Sequence, residues 1–385
     1  MTLFLLTFFL IYGGIHLYVF LKAKAAFAFG IHTGIYVALV MIIMVFAPII
    51  VRFSERAGFE FFARLISYIG YTWMGILLLF FSASLVIDTY RFLMYLLSFI
   101  LRQDITSFMP SAKFAFLIPL LLSIVISIYG YFEAQNILTE KVIINTSKIP
   151  EKVGRLKVVQ ISDVHLGLIV GEERLKRILN EVKKANPDIM VSTGDLVDGQ
   201  IDNLLRLAEM LKEVNPRYGK FAITGNHEFY AGLDDALNFT EKAGFKILRG
   251  ERLTLAGLIN IAGVDDPQGK AYGNSKDVTE NELLSGLPAE KFTLLLKHRP
   301  LVDKSALGLF DLQLSGHIHK GQIFPFSLIT GLYYPIQAGF ADLSNGSCLY
   351  VSRGSGTWGP PIRFLSPPEV TIIEIVHKDV RSGKN

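Results

Sequence analysis

The chain has 385 residues, 51% of them hydrophobic, and a formal net charge of +4. This length exceeds one ordinary domain and indicates two regions. The single cysteine, Cys348, excludes an intrachain disulfide and leaves His, Asp and Asn as the available metal ligands. The small net charge, without a basic run interleaved with aromatic residues, argues against a nucleic-acid partner.

The N-terminal third predicts a bundle of four transmembrane helices. Four long stretches contain no Asp, Glu, Lys or Arg: 1–21, 25–51, 65–87 and 114–132. Each is close to or above the roughly 20 apolar residues that cross a bilayer. We therefore expect a transmembrane anchor over 1–133, followed by a linker and entry strand over 134–153.

Three further features of this third carry expectations. The apolar segment 92–101 is about half a span, which indicates an interfacial or re-entrant piece. Asp88 and Arg91 lie three residues apart, which predicts a local ion pair. The loop 52–64 and the segment 141–157 carry eight basic residues against five in the other connections. This excess favours a cytoplasmic C-terminal region.

The C-terminal region, 154–385, alternates strand and helix patterns. Residues 156–162 form a β-branched apolar run, and 172–185 have apolar residues at helical spacing. A second helix is predicted around 202–214, and further strands at 188–195, 220–228, 253–264 (a pair), 292–298, 312–319, 348–354 and 369–376. The pattern predicts an α/β sandwich with mixed sheets inside and helices outside. We expect the last two strands to complete a second sheet.

Polar side chains collect where five of these strands end. The endings contain Asp163 and His165; Asp195; Asn226 and His227; His298; and His317 and His319. Sites in α/β sheets form beyond the carboxyl ends of strands, so these endings are expected to meet at one rim. Each motif alone is weak, because an Asp can cap a helix and Gly-Asn can make a turn. Five of the eight histidines in five endings are hard to explain by chance.

The donor types in these endings are carboxylate, imidazole and amide oxygen, which suit Mn²⁺, Fe or Zn²⁺. There are too many for one tetrahedral ion, but their number fits two ions that share a bridging carboxylate. Two such ions, roughly 3.5–4 Å apart, can clamp an in-line displacement at phosphorus.

The ordered motifs "SDVH", "GDLVD", "GNHE", "KH" and "GHIH" resemble the calcineurin-like metallophosphoesterase superfamily over about 154–376. The resemblance implies a four-layer α/β/β/α sandwich. The segments "SGHIHKGQI" and "LYVSRGSGTWGPPIRFLSPPE" resemble a bacterial branch with N-terminal membrane helices. That branch has relatives among the UDP-2,3-diacylglucosamine pyrophosphatases, and it implies an integral protein of the bacterial inner membrane.

The resemblance also implies roles for the motif residues. The implied ligands are Asp163, His165 and His319 for the first metal, Asn226, His298 and His317 for the second, and Asp195 as the bridge. His227 is implied to contact the phosphoryl oxygen, where it stabilises charge or protonates the leaving group. Some dedicated lipid A pyrophosphatases similar to this family have Arg at that position.

Residues around the motifs have weaker expectations. Candidates for binding substrate phosphate are Arg299 and Arg353, followed by Lys320 and Arg363, although solvated surface charge explains each as well. Glu228 is expected to orient a neighbouring group. Asp198 is interpreted as a turn or cap residue, and Trp358 as pocket lining, membrane-facing rim or simple packing.

The sequence therefore predicts a membrane-anchored, two-metal phosphoesterase acting on a phosphate ester or pyrophosphate. A lipid-linked substrate, such as UDP-2,3-diacylglucosamine, fits the adjacent membrane helices. The alternative is a membrane receptor or transporter whose soluble domain binds metal or nucleotide without turnover. A nuclease is a third possibility, disfavoured by the anchor and by the lack of a basic groove.

Overall fold

The computed structural model describes residues 2–199 and 204–378, with side chains from residue 6 onward. The chain divides into two compact units. The helical unit comprises Met1–Phe132 together with Gly359–Phe364, and the α/β unit comprises Glu133–Trp358 together with Leu365–Asn385. Residues 379–385, at the end of the region predicted as 154–385, lie outside the described part of the chain.

The helical unit is built from four long apolar helices. They are α1 (Thr2–Phe27), α2 (Ile31–Arg56), α3 (Glu60–Leu101) and α4 (Ala112–Gln135). All four are long and apolar enough to cross a membrane. The segment 92–101 continues α3, so the re-entrant alternative was wrong, whereas the interfacial alternative stays a prediction. It contains neither Gly nor Pro to end the helix, and the 42 residues of α3 extend for about 63 Å.

The carboxylate of Asp88 joins two helices of this unit. Its partner is Lys22 of α1, at 2.7 Å, and it also accepts a hydrogen bond from the Tyr18 hydroxyl. The predicted local pair with Arg91 was therefore wrong. Lys22 lies 66 residues away in sequence, so the spacing of charges within α3 could not identify it.

Residues 359–364 belong to the helical unit although they lie between the last two strands in sequence. The backbone N–H of Arg363 donates to the carbonyl oxygen of Gly130 in α4, at 2.9 Å. A side chain at Gly75 in α3 would collide with Ile362. Two glycines thus allow the backbone of 359–364 to approach α3 and α4.

Within its described residues, the α/β unit contains twelve strands and seven further α-helices. The strands are β1 (Leu138–Thr146), β2 (Arg155–Ile161), β3 (Ile189–Ser192), β4 (Lys220–Ala222), β5 (Lys246–Ile247), β6 (Glu251–Leu255), β7 (Ile259–Gly263), β8 (Phe292–Leu296), β9 (Leu312–Ser315), β10 (Gly339–Asp342), β11 (Cys348–Val351) and β12 (Glu369–His377). The helices are α5 (Glu172–Ala185), α6 (Leu205–Lys212), α7 (Asn226–Ala231), α8 (Leu233–Lys242), α9 (Gln268–Ala271), α10 (Glu280–Leu284) and α11 (Phe326–Tyr333).

These strands form two six-stranded mixed sheets, ordered β1-β12-β2-β3-β4-β5 and β10-β11-β9-β8-β7-β6. Their inner faces pack together through buried residues such as Val158 and Val191 on one side and Ile261 and Leu294 on the other. Helices α5, α6 and α8 cover the outside of the first sheet, and α10 packs on the second. The unit is a four-layer α/β/β/α sandwich, which confirms the predicted fold class.

One strand differs in its partners from the prediction. Strand β12 lies in the first sheet, parallel to β1 and antiparallel to β2, whereas only β11 joins the second sheet. An apolar strand pattern shows that a segment is buried but does not identify the strand beside it. The helix predicted over 202–214 is observed as α6, and residues 202 and 203 fall in the gap between the described ranges.

Candidate metal centre and active site

The polar strand endings meet at one edge of the sandwich. Strands β2, β3 and β4 run parallel in the first sheet, and β8 and β9 run parallel in the second. The residues that follow β2, β3, β8 and β9, together with the start of α7 after β4, converge into three groups of potential ligands. These groups are Asp163, His165 and His319; His165, Asp195 and His227; and Asp195, His298 and His317.

The predicted ligands are thus brought together, with their ligand atoms within 4.8 Å of one another in each group. Asn226 joins the last group, because its Oδ1 lies 3.3 Å from Nε2 of His298. All of them are buried except His317, which is half-buried. Burying carboxylates and imidazoles together costs free energy unless a cation binds among them.

Asp195 lies between the two outer groups. Its Oδ2 is 3.2 Å from Nε2 of His298 and 3.9 Å from Nε2 of His165. Its Oδ1 accepts a hydrogen bond from the backbone N–H of His227, at 2.8 Å. One carboxylate therefore faces both groups, which is the position that a bridging ligand requires.

The backbone at these positions is strained. Five of the predicted ligands have φ angles in the left-handed region, between 46° and 74°: Asp163, His165, Asp195, His317 and His319. This region is unfavourable for residues with a Cβ, and such strain concentrates at functional sites. In this backbone conformation the five side chains point toward a common space.

Two glycines permit the close packing of the ligand loops. A Cβ on Gly316 would overlap the side chains of Ser162 and Asp163, and a Cβ on Gly225 would overlap the carboxylate of Asp195. The N–H of His317, directly after Gly316, donates to both carboxylate oxygens of Asp163, at 2.9 and 3.1 Å. Position 316 therefore requires glycine, because any side chain there would overlap Ser162 and Asp163.

Glu228 holds two of the loops together. Its buried carboxylate accepts hydrogen bonds from the N–H groups of Gly225 (2.6 Å), Leu196 (2.8 Å) and Asp195 (3.0 Å). The expectation that Glu228 orients a neighbouring group agrees with these contacts. It fixes the backbone on both sides of the Asp195 carboxylate.

The ring nitrogens are arranged as metal donors. Nδ1 of His298 lies 2.8 Å from the carbonyl oxygen of Thr193, to which it donates, so Nε2 is the nitrogen that faces the site. Nε2 of His165 and Nε2 of His319 face each other at 3.0 Å, and Nε2 of His298 and Nδ1 of His317 lie 3.1 Å apart. Converging lone pairs of this kind, with no thiolate among them, fit divalent Mn, Fe or Zn.

The charges of the site also fit metal binding. Burial raises the pKa of the Asp163 carboxyl, and the charge of Asp195 raises it further. Burial and the neighbouring charge of His298 lower the pKa of His317 to about 2, which leaves its imidazole neutral, as a ligand must be. Burial lowers the pKa of His298 but Asp195 more than reverses this, raising it to about 10. Ligation by His298 therefore releases a proton.

His227 lies beside these groups and is paired with Asp198. Nδ1 of His227 is 2.8 Å from Oδ1 of Asp198, and the imidazole packs edge-on against Trp358 with ring centroids 5.7 Å apart. Burial opposes protonation, but the charge of Asp195 and the bond to Asp198 raise the pKa of His227 to about 9. A raised pKa favours the protonated imidazole, which is the form that can donate a proton.

The structure shows that Asp198 contacts two histidines of the site, which the sequence did not predict. Asp198 was interpreted as a turn or cap residue, yet its carboxylate faces both His227 and, at 3.7 Å, Nδ1 of His165. The available signal was its spacing in "GDLVD", three residues after Asp195. That spacing alone could not reveal the partner, because His227 comes from a different strand ending.

The candidate phosphate-binding residues have different surroundings. Arg299 forms a two-pronged pair with the buried Asp266, at 2.7 and 2.9 Å, and its charge contributes to lowering the pKa of His317. Arg353 pairs instead with Glu140 and Glu369, at 2.6 and 2.8 Å. Its role in substrate binding stays a prediction, because these contacts join it to β1 and β12.

The three remaining residues, Lys320, Arg363 and Trp358, have different surroundings. Lys320 is exposed, at the end of the His317–His319 turn. Arg363 is buried within the helical unit. Trp358, half exposed, contacts His227, and the side chain of Gln322 holds its backbone through two hydrogen bonds of 2.9 Å. Trp358 therefore lines the site, one of the three roles considered for it.

A two-sheet α/β unit with adjoining carboxylate and imidazole groups at its strand ends defines a metal-dependent hydrolase. The family model described as calcineurin-like phosphoesterase matches residues 156–321. An uncharacterized metallophosphoesterase of Aquifex aeolicus is 42% identical over 258 residues, covering 67% of this chain and 98% of the relative.

Other relatives share more of the chain or carry a membrane description. An uncharacterized metallophosphoesterase of Campylobacter jejuni is 33% identical over 86% of this chain and 88% of its own length. A transmembrane protein with metallophosphoesterase domain from Danio rerio is 35% identical over 66% of this chain and 61% of its own. The chain belongs to the calcineurin-like metallophosphoesterase family, and it is a metal-dependent phosphoester hydrolase with four helices long and apolar enough to cross a membrane.

Proposed function

We propose that this protein is a membrane-anchored, dinuclear phosphoesterase that cleaves a phosphate ester or pyrophosphate in a lipid-linked substrate. The position of Asp195 carries the proposal, because its carboxylate faces two separate histidine groups at 3.2 and 3.9 Å. Asp163, His165 and His319 would hold the first ion, and Asn226, His298 and His317 the second. Mn²⁺, Fe and Zn²⁺ all suit these donors.

Two bound divalent ions supply an activated water and neutralise the charge of the phosphoryl oxygens. The protein supplies the geometry and the proton. His227, held by Asp198, donates a proton to the leaving oxygen. The paired Asp198 fixes Nδ1 as the hydrogen-bonded nitrogen, so Nε2 is the atom from which the proton leaves.

Two features support a substrate at the membrane surface. Four span-length helices lie in the same chain as the site, and Trp358, which contacts His227, directly precedes the segment 359–364 of the helical unit. A lipid phosphate, or a nucleotide-sugar lipid of the UDP-2,3-diacylglucosamine type, presents its phosphate at that surface. Arg299 is the candidate contact for it.

The excess of basic residues in 52–64 and 141–157 supports a cytoplasmic α/β unit. The four span-length helices, with the resemblance of the motifs to the bacterial branch, support an inner-membrane location. A reporter fused to the C-terminus, active only on one side of the membrane, tests the orientation.

The test of the site uses the full-length protein in detergent micelles or lipid nanodiscs. We expect hydrolysis of bis(p-nitrophenyl) phosphate with Mn²⁺ and two equivalents of metal per chain by elemental analysis. Asp195→Asn should abolish turnover and reduce the bound metal. The matched control is Asp277→Asn, an exposed carboxylate paired with exposed Lys270, which should behave as wild type.

The outcomes separate the alternatives. Undiminished activity of Asp195→Asn would contradict the bridging role. Two bound metals without turnover of any soluble or lipid-linked phosphate ester would support a receptor or transporter instead.

A further inference from the structure

Helix α11 presents an unusual apolar surface. Its eight residues, FSLITGLY, include none that is buried. Leu328, Ile329 and Leu332 are 64%, 60% and 88% exposed, and Tyr333 is exposed as well. Burying apolar side chains is favourable and leaving them in water is not. An exposed apolar cluster therefore marks a surface that contacts another apolar surface.

The surrounding sequence is also free of charge. Residues 321–341 contain no Asp, Glu, Lys or Arg, and charged residues resume on either side at Lys320 and Asp342. Elsewhere the α/β unit has charged residues on its exposed helices, as α5 shows with Lys183 and Lys184. The exposed apolar surface therefore coincides with a local absence of charge, which lowers the cost of contact with hydrocarbon.

The helix is too short to cross a bilayer. Eight residues extend for about 12 Å, against a hydrocarbon core of about 30 Å. An apolar helix of this length can lie in the interfacial plane, where aromatic residues such as Tyr333 are favoured.

The segment before α11 is hydrogen-bonded to a residue that lies next to the helical unit in sequence. Gln322, four residues before Phe326, holds the backbone of Trp358 through two hydrogen bonds. The next residue, Gly359, belongs to the helical unit. The segment that leads into α11 is thus hydrogen-bonded to the residue at which the chain passes, in sequence, into the helical unit.

We propose that α11 docks onto the bilayer that holds the helical unit, with Leu328, Ile329, Leu332 and Tyr333 in its interfacial region. The next residue, Tyr334, packs against the predicted ligand His317, with ring centroids 5.7 Å apart. Docking of α11 therefore sets the height of the metal centre at the level of lipid headgroups. This inference rests on the membrane location in the proposed function but not on hydrolysis.

The test measures the depth of α11 in the full-length protein. Cys348, the single native cysteine, is replaced by Ser, and Leu332→Cys is labelled with the environment-sensitive fluorophore NBD. The protein is reconstituted into phosphatidylcholine vesicles with or without doxyl-labelled lipid. Leu328→Cys provides a second site on α11, and Glu241→Cys, exposed on α8, is the control on the same unit.

We expect blue-shifted emission at positions 332 and 328, loss of emission with doxyl lipid and protection from aqueous iodide. Position 241 should show the reverse. Iodide quenching at 332 equal to that at 241, without doxyl quenching, would overturn the proposal. Protection from both quenchers, with disulfide-linked dimers of unlabelled Leu332→Cys, would overturn it in favour of a second copy.

The same measurements are made with Asp195→Asn added. Unchanged depth with lost turnover in Asp195→Asn leaves the docking intact. Lost depth with normal turnover in the labelled protein that keeps Asp195 removes the docking and leaves the hydrolase. The two proposals can therefore fail separately.

Discussion

Nδ1 of His227 and Oδ1 of Asp198 lie 2.8 Å apart, at the edge of the predicted metal ligands. The pair joins the loop after β3 to the first turn of α7. It explains how a buried imidazole can stay protonated, because the charge of Asp195 and the bond to Asp198 raise the pKa of His227 to about 9. The protonated form of His227 is therefore favoured by two carboxylates, Asp195 and its hydrogen-bond partner Asp198.

Asp198→Asn is expected to preserve the hydrogen bond and remove the charge. A group whose pKa is raised keeps its proton below that pKa and loses it as the pH rises through it. Wild-type kcat should therefore fall above about pH 9, and the variant should fall at lower pH. We expect kcat at neutral pH to decrease by about 10- to 100-fold. A kcat–pH profile whose alkaline limb does not move would contradict this coupling.

His227→Gln is expected to lower kcat by about 10²–10⁴-fold while metal content is retained. The loss should be largest for alkyl phosphate esters, whose leaving oxygens need a proton, and smallest for p-nitrophenyl esters. Measuring both substrates with elemental analysis of the same samples checks this. An equal loss on both substrates would indicate that His227 stabilises phosphoryl charge and does not act as the acid.

The sequence predicted the parts of the site that depend on parallel strand order. Residues such as Asp163, Asp195 and His298 each follow a buried strand, and the carboxyl ends of parallel strands meet at one edge. Their convergence therefore needed no knowledge of loop conformation. The same reasoning places His317 and His319 at this edge, because both follow β9.

Other features depended on partners distant in sequence. Asp198 resembled a turn residue until the fold brought His227 to it, and Asp88 pairs with Lys22 of another helix. Strand β12 joins the first sheet because β1, an added edge strand, pairs with it. Local patterns of charge and hydrophobicity predict whether a segment is a helix or a strand, but they do not predict which distant residue or strand lies beside it.

Gly316→Ala is expected to destabilise the α/β unit by about 1–3 kcal/mol, because the added methyl group overlaps Ser162 and Asp163. The displaced Asp163 should also weaken metal binding. Thermal unfolding and metal titration check the two effects. Gly171→Ala is the control, since its methyl group meets open space, and an equal loss in both variants would show that overlap is not the cause.

Arg299→Lys tests the remaining candidate for substrate binding. Arg299 pairs with Asp266 at 2.7 and 2.9 Å, and Arg249 pairs with the adjacent Asp265 at 2.8 Å in the same two-pronged way. Replacement of either arginine by Lys removes one of its two hydrogen bonds to the aspartate. A purely structural role predicts similar, small losses of stability and unchanged kinetics for both variants. If Arg299 contacts the substrate phosphate, only Arg299→Lys raises KM, by about tenfold, with kcat little changed. Steady-state kinetics of both variants on one phosphate ester decide between these roles, and equal KM values would exclude Arg299 from substrate binding.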